Sequence, residues 1–235
     1  MEKLTQEELD ALPQKTKKDQ FVVDLYRTHD FLTAYAKHTD YRVKTAGVEG
    51  AIGDHTEWES YGELQCAFLI GQGLKPGHTL LDVGCGTGRL SRKVVPYLNP
   101  SRYIGYDIST GALSAARDIA FGEGWYSKNP EFVSSLSGLV EPFDYLWAFS
   151  VFIHVPVGVM RDTFAQCRRL MHEQSRFYMS YVPEKRDERT GLKQFRRTFE
   201  TYVETAEREG LSFEPVEWPG KQKMALCRVL WRAMA

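Results

Sequence analysis

The residues best suited to chemistry lie in LLDVGCGTGRL, residues 80–90. An apolar run ends in Asp82, glycines follow at 84, 86 and 88, and a helical pattern then begins. Lacking Cβ atoms, such glycines let the backbone turn tightly and bring bare peptide groups against a ligand. The helix start adds free N–H donors and partial positive charge, suited to electron-rich ligand atoms. About twenty residues on, YIGYD (residues 103–107) reads as a second strand closing in a carboxylate, placed to accept hydrogen bonds from both hydroxyls of a ribose. A dinucleotide site of the G-x-G-x-x-G type wants glycine at 89, where Arg89 stands, and the Gly-Lys-Ser/Thr ending of a phosphate-binding P-loop is missing. A third segment, FDYLWAFSVFIHVP, ends an apolar strand in Phe149 and Ser150 and continues to His154. An imidazole there suits removal of a proton from a hydroxyl or ammonium nucleophile. The alternative is that His154 bonds local backbone and shapes the turn before Pro156.

The elements that must position these groups follow from periodicity. Thr5 with Glu8 fits a capping box for a short first helix ending near Leu12, and PQKTKKDQ after it reads as a polar linker. Phe21, Leu25, Leu32 and Tyr35/Ala36 recur at helical spacing, which predicts one amphipathic helix over residues 20–38. Residues 39–55, with Gly47, Gly50 and Gly53 and no clear period, read as a mobile loop, and a helix is expected over 61–72. From Pro76 onward short apolar runs alternate with helical ones. Strands are expected over 79–83, 103–107, 131–134, 145–149 and 177–182, with helices over 89–98, 110–121 and 157–171. Such alternation means right-handed βαβ crossovers and a parallel sheet covered on both faces. A final helix is expected over 192–209. Two strands, 211–217 and 224–231, follow as an antiparallel pair joined by the turn WPGKQ.

Together, D-V-G-C-G-T-G, the acid closing YIGYD and the FDYLWAFSVFIHVP segment resemble the class I S-adenosylmethionine (SAM) dependent methyltransferases, from about Tyr61 to the C-terminus. The resemblance implies an α/β, Rossmann-like fold over residues 61–235, with a seven-stranded, mostly parallel sheet whose last strand is antiparallel. Residues 1–60 would add an N-terminal helical lid. It implies SAM as cofactor, with Gly84, Cys85, Gly86 and Gly88 beneath its methionine part and Asp82 near its amino group. Asp107 would hold the ribose and Ile108 the adenine, whose amino group would lie by Ser135 and Leu136. The acidic residue that many members place there is absent. Phe149 and Ser150 would flank the sulfonium and the methyl group, with His154 as candidate general base.

Acceptor recognition in this family usually lies outside the sheet. The candidates are Tyr35, Tyr41, Arg42, Trp58 and Tyr61, against the reading that these pack in the core. Between the fifth strand and the last helix, EKRDERTGLKQFRR holds six cations, Arg189 and Lys193 among them. Such a stretch is more often a solvated face. If functional, it favours a small substrate bearing phosphate or carboxylate. The Asp/Asn-Pro-Pro-Tyr/Phe signature of nucleic-acid amine methylation is absent at Phe149–Phe152, and no metal triad is evident, so the S-V-F-x-H form resembles the enzymes of small metabolites, sugars and natural products.

Composition agrees. With 30 Lys+Arg against 31 Asp+Glu over 235 residues, the formal charge is −1, which gives no global field for a polyanion such as nucleic acid. The longest charge-free run, residues 145–160, is too short for a spanning helix and is broken by Pro156. Four scattered cysteines without a C-x-x-C and a polar, acidic N-terminus point to the cytoplasm. The expected activity is methyl transfer to an oxygen or nitrogen of a small molecule. The competing readings are a protein or RNA acceptor, or a SAM-binding module without turnover.

Overall fold

The computed structural model describes residues 3–13, 19–51, 57–220 and 224–231. Helices α1 (Gln6–Ala11), α2 (Gln20–Thr28), α3 (Phe31–Ala51) and α4 (Trp58–Gly71) come first. Then β1 (Leu80–Val83), α5 (Ser91–Tyr97), β2 (Tyr103–Tyr106), α6 (Thr110–Gly122), β3 (Glu131–Val133), β4 (Phe143–Ala148), α7 (Val157–Arg169) and β5 (Met171–Tyr181) alternate. A two-residue hairpin, β6 (Glu188–Arg189) with β7 (Phe195–Arg196), precedes α8 (Phe199–Glu207), β8 (Leu211–Val216) and β9 (Ala225–Trp231).

The main sheet has the order β3-β2-β1-β4-β5-β9-β8. Strand β9 runs antiparallel to both β5 and β8, and the other six are parallel, as the resemblance implied. Along β1 and β4, alternate residues enter two separate cores. Leu80, Tyr145 and Trp147 pack with α4, α5 and α6, whereas Leu81, Leu146 and Ala148 pack with α2, α7 and α8. The period of two explains why these strands read as continuous apolar runs: both faces are covered. Strand order reverses between β1 and β4, the place where open α/β sheets leave a crevice at the strands' carboxyl ends.

Three expectations need correction. Residues 20–38 are not one helix. The chain is extended at His29, and Asp30 starts α3 by accepting the N–H groups of Leu32 (3.1 Å) and Thr33 (3.3 Å). Nor are residues 39–51 a loop; they continue α3, kinked at Gly47, whose φ is +74°. The glycines suggested a loop, but tertiary contacts hold the helix: Asp40 accepts the Ser109 hydroxyl (2.5 Å) and the Gly111 N–H (2.9 Å) at the start of α6. A Cβ at Gly111 would lie 2.8 Å from that carboxylate, so the glycine makes the approach possible. The expected helix over 192–209 forms only as α8. Thr198 caps it, and Asp187 accepts the Thr198 N–H (2.8 Å) and the Thr201 hydroxyl (2.6 Å). Phe195 lies in β7 instead, its spacing from Phe199 being fortuitous.

The α1 capping box and the β8–β9 antiparallel pair are present as expected. Of PQKTKKDQ, residues 14–18 lie outside the described residues, as do residues 52–56 of the expected loop and residues 221–223 in and after WPGKQ. Among the described residues no helix is long and apolar enough to cross a membrane. All four cysteines are free and buried.

Candidate active site

The glycine loop after β1 is fixed from β2. Gly84 and Cys85 donate their N–H groups to the Tyr106 carbonyl at 2.7 and 3.0 Å. Gly86 N–H donates to Asp107 Oδ2 and Ser109 N–H to Asp107 Oδ1, both at 2.9 Å. The carboxylate is thus oriented through both oxygens while each keeps a free lone pair. Gly84 sits at φ +73°, and a Cβ there would lie 2.5 Å from Val151 Cγ2. Gly88, at φ +94°, is needed for packing instead, since its Cβ would meet Ser91 Oγ at 2.7 Å and Ala116 beyond it.

Above this loop lies a cavity of about 310 Å³. From the sheet side it is lined by Asp82, Gly84, Cys85, Gly86, Asp107 and Ile108, and by Phe149, Ser150 and His154 after β4. Helix α3 contributes Tyr35 and Arg42. Eleven of the residues singled out from sequence therefore meet in one space. Ser150 holds a left-handed backbone (φ +61°) and donates its N–H to Ser180 Oγ at 2.7 Å, a strained conformation of the kind that clusters at functional sites.

The others lie elsewhere. Gly88 packs between α5 and α6 as described. Ser135 is exposed and shares a hydrogen bond with Ser137 (2.8 Å), and Leu136 is buried in the core. Tyr41 packs against Phe21, the rings tilted by 48° with centroids 4.9 Å apart. Trp58 is buried beneath the Arg92 guanidinium, and Tyr61 packs on Phe149 at 6.2 Å, one layer behind the cavity. Arg189 donates to the carbonyls of Gly191 (3.2 Å) and Leu192 (2.7 Å), within its own hairpin loop and over the Phe31 and Phe195 rings.

Sequence reasoning missed Thr39, Gln65, Arg89 and Trp147 as lining residues, whereas Lys193 comes from the basic stretch singled out after the fifth strand. Gln65 had a signal: it is the polar member of the helical stripe Tyr61–Gln65–Leu69, and it is 2% exposed. Arg89 was weighed only as an obstacle to a dinucleotide fingerprint. Its guanidinium instead turns back between the Tyr61 and Phe149 rings, 5.8 and 5.5 Å from their centroids. Trp147, from β4, carried no signal beyond its apolar strand.

Burial dominates the electrostatics. It pushes Asp82 up to about 7, against the Tyr103 hydroxyl (2.8 Å) and the Arg89 charge, which favour the carboxylate. Asp107 is raised for the same first reason. His154 is lowered to about 4 by burial and then by the Lys193 charge. Its Nδ1 lies 3.0 Å from the Lys193 carbonyl, an acceptor, so Nδ1 carries the proton and Nε2 keeps a bare lone pair. Five buried polar atoms of lining residues have no protein partner: Thr39 Oγ1, Arg42 Nε, Gln65 Nε2, Arg89 Nε and Trp147 Nε1. Such orphans are rare in folded proteins, and a cluster of them marks a place for a polar ligand.

Comparison with known proteins finds likenesses to methyltransferases in part of the sequence and in the fold. Residues 81–177 match the family model described as a methyltransferase domain. Among solved structures, the magnesium protoporphyrin IX methyltransferase of Synechocystis PCC 6803 with bound SAM superposes with a TM-score of 0.67 at 19% identity, over 87% of this chain and 98% of that one. The glycopeptide N-methyltransferase MtfA complexed with SAM gives 0.59 at 14% identity, over 72% and 94%. A SAM-dependent methyltransferase from Clostridium acetobutylicum gives 0.57 at 15%, over 85% and 99%. At these identities the likeness to each is one of fold.

Proposed function

We propose that this protein, whose residues 81–177 match the family model of a methyltransferase domain, transfers a methyl group from SAM to an oxygen or nitrogen of a small molecule held under α3. The observation that carries the reading is the single cavity in which the ends of β1, β2 and β4 meet, with orphaned donors at its wall.

The residues present fit the cofactor. Asp82 would take the ammonium of its amino-acid end, and the unpartnered Gln65 Nε2 and Arg89 Nε would take the carboxylate. Asp107, its outer lone pairs free, would accept both ribose hydroxyls, with Ile108 against the base. Bound SAM supplies an electrophilic methyl group on a sulfonium. The chain's own residues then have two tasks. Phe149, Ser150 and Tyr35 would position the acceptor against the methyl group, and such positioning is where most of the rate gain of a displacement arises. His154, neutral at physiological pH, accepts a hydrogen bond from the acceptor at Nε2, and takes its proton where the nucleophile arrives protonated.

Residues 1–60 serve as the lid in this reading. The α3 side chains Leu32, Tyr35, Thr39 and Arg42 close one wall of the cavity, which favours an acceptor small enough to fit beneath a helix over a protein or RNA. Calorimetric titration with S-adenosylhomocysteine (SAH) tests the cofactor half. SAM at 100 times its Kd should stabilise the fold by about 2.7 kcal/mol. Asp107→Ala should weaken SAH binding by about 1–3 kcal/mol. Unchanged affinity would remove the ribose from Asp107, and no binding by the unaltered protein would overturn the reading.

A further inference from the structure

Next to the inner cavity lies an outer groove of about 730 Å³, and Arg42, Lys193 and Gln194 line both. Two cations therefore stand at the neck joining the two spaces. The Lys193 ammonium lies over the Tyr35 ring, 4.8 Å from its centroid. Arg42 reaches the Gly50 carbonyl through one terminal nitrogen, while its buried Nε has no partner. Among the described residues, no carboxylate forms an ion pair with either cation. The charge of Asp107 favours the Lys193 ammonium from within the inner cavity, but the two form no ion pair, and Asp107 is oriented by the backbone N–H groups of Gly86 and Ser109. At the outer end, Asp19 caps α2 at Val22 N–H (3.3 Å), and Arg196, also on that wall, is paired with Glu184 at 3.5 Å.

Holding two like charges side by side in a half-buried neck opposes folding. Burial and the Arg42 charge push Lys193 down to about 8, so the ammonium persists there at a disadvantage that an anion would remove. Of the six cations between residues 184 and 197, only Lys193 reaches the inner cavity; Arg189 and Arg197 spend their donors on backbone carbonyls.

We propose that the methyl acceptor is an anion, and that Lys193 and Arg42 grip its carboxylate or phosphate-type group at the neck. The proposal rests on the methyl-transfer reading, because it takes the inner cavity for the cofactor and leaves the neck for the acceptor. From the neck the acceptor's nucleophilic atom points inward to Phe149 and Ser150, and its other end lies along the outer groove against Tyr41 and Leu192. Arg42 offers a planar fork and Lys193 a point charge, a combination that suits a multidentate oxyanion.

The test uses the full chain saturated with SAH, titrated by calorimetry with phenylacetate, phenyl phosphate and the neutral methyl phenylacetate. Saturable binding of an anion, at least tenfold tighter than the neutral ester, is expected, and the tighter of the two anions identifies the oxyanion. Lys193→Gln and Arg42→Gln should each weaken the anion tenfold or more while SAH affinity stays within threefold; Lys193→Arg should retain it. Equal binding of ester and anions, anion affinity indifferent to both Gln variants, or no saturable anion binding overturns the proposal with the cofactor reading intact. Failure of the unaltered protein to bind SAH overturns the cofactor reading first.

Discussion

Beneath the cavity, Gly84, Cys85 and Gly86 are fixed by main-chain N–H groups donating to Tyr106 and Asp107, at the end of a paired strand. Above it, α3 and the β6–β7 hairpin are fixed by side chains: Asp40 on Ser109 and Gly111, Arg42 on Gly50, Arg189 on Gly191 and Leu192. The floor thus belongs to the sheet, and any sequence that builds the sheet and its glycine turn builds it. The roof is set by particular side-chain choices, so it is the part free to differ with the acceptor. Charge follows the same division. Buried carboxyls in the floor, Asp82 first, are raised, whereas the roof's His38 is lowered to about 3 and Lys193 to about 8.

The strongest challenge to a backbone-built floor is Gly84→Ala. The left-handed φ should cost about 1–2 kcal/mol, and the clash with Val151 about 1–3 kcal/mol more. Urea denaturation should show the sum, and SAH binding should fall with it. A variant of unaltered stability would mean that the loop relaxes freely and that the floor is no more rigid than the roof.

A change confined to the roof should separate the two functions. Asp40→Ala removes the tie to the start of α6, leaving a hydroxyl and an N–H unpaired at about 1–3 kcal/mol. Acceptor KM should rise while SAH affinity is kept. Equal losses in both would show that floor and roof form one unit.

The smallest effect is in pH. His38 has a folded pKa near 3, below the ordinary 6.5, so between those values the unfolded chain binds more protons. The stability held by neutral His38 is complete above pH 6.5 and is lost as pH falls toward 3. A carboxyl raised like Asp82 acts oppositely: its penalty stands above about pH 7 and lapses as pH falls to 4. His38→Gln should therefore flatten acid unfolding between pH 6.5 and 4 by about 1–2 kcal/mol, allowing for the ring's partial exposure. Identical acid transitions in the two proteins would dissolve the contrast.

The same division explains what could be read from sequence. Glycines at 84 and 86 were legible because a left-handed backbone demands them. The acid at 107 was legible because it closes a strand beside that turn, where its carboxylate takes the Gly86 and Ser109 N–H groups. The strands were legible because burial on both faces leaves unbroken apolar runs. In the roof, the glycines of α3 looked like loop signals, because nothing local reveals that Asp40 anchors the helix at Gly111. Phe195 and Phe199 copied helical spacing across a hairpin boundary. Thr39 and Trp147 were hidden for a related reason: a side chain on one wall of a cavity shows its role only when the opposite wall is known.

The stitching of the Gly84, Cys85 and Gly86 amides to β2 has a thermodynamic consequence. These groups lose their conformational freedom when the sheet forms, before any ligand arrives, so docking on them carries little further ordering entropy. Amide hydrogens held in this way exchange with solvent only when β1 and β2 part. The ligand-facing loop would then open on the timescale of the sheet and not on that of the helices that cover it.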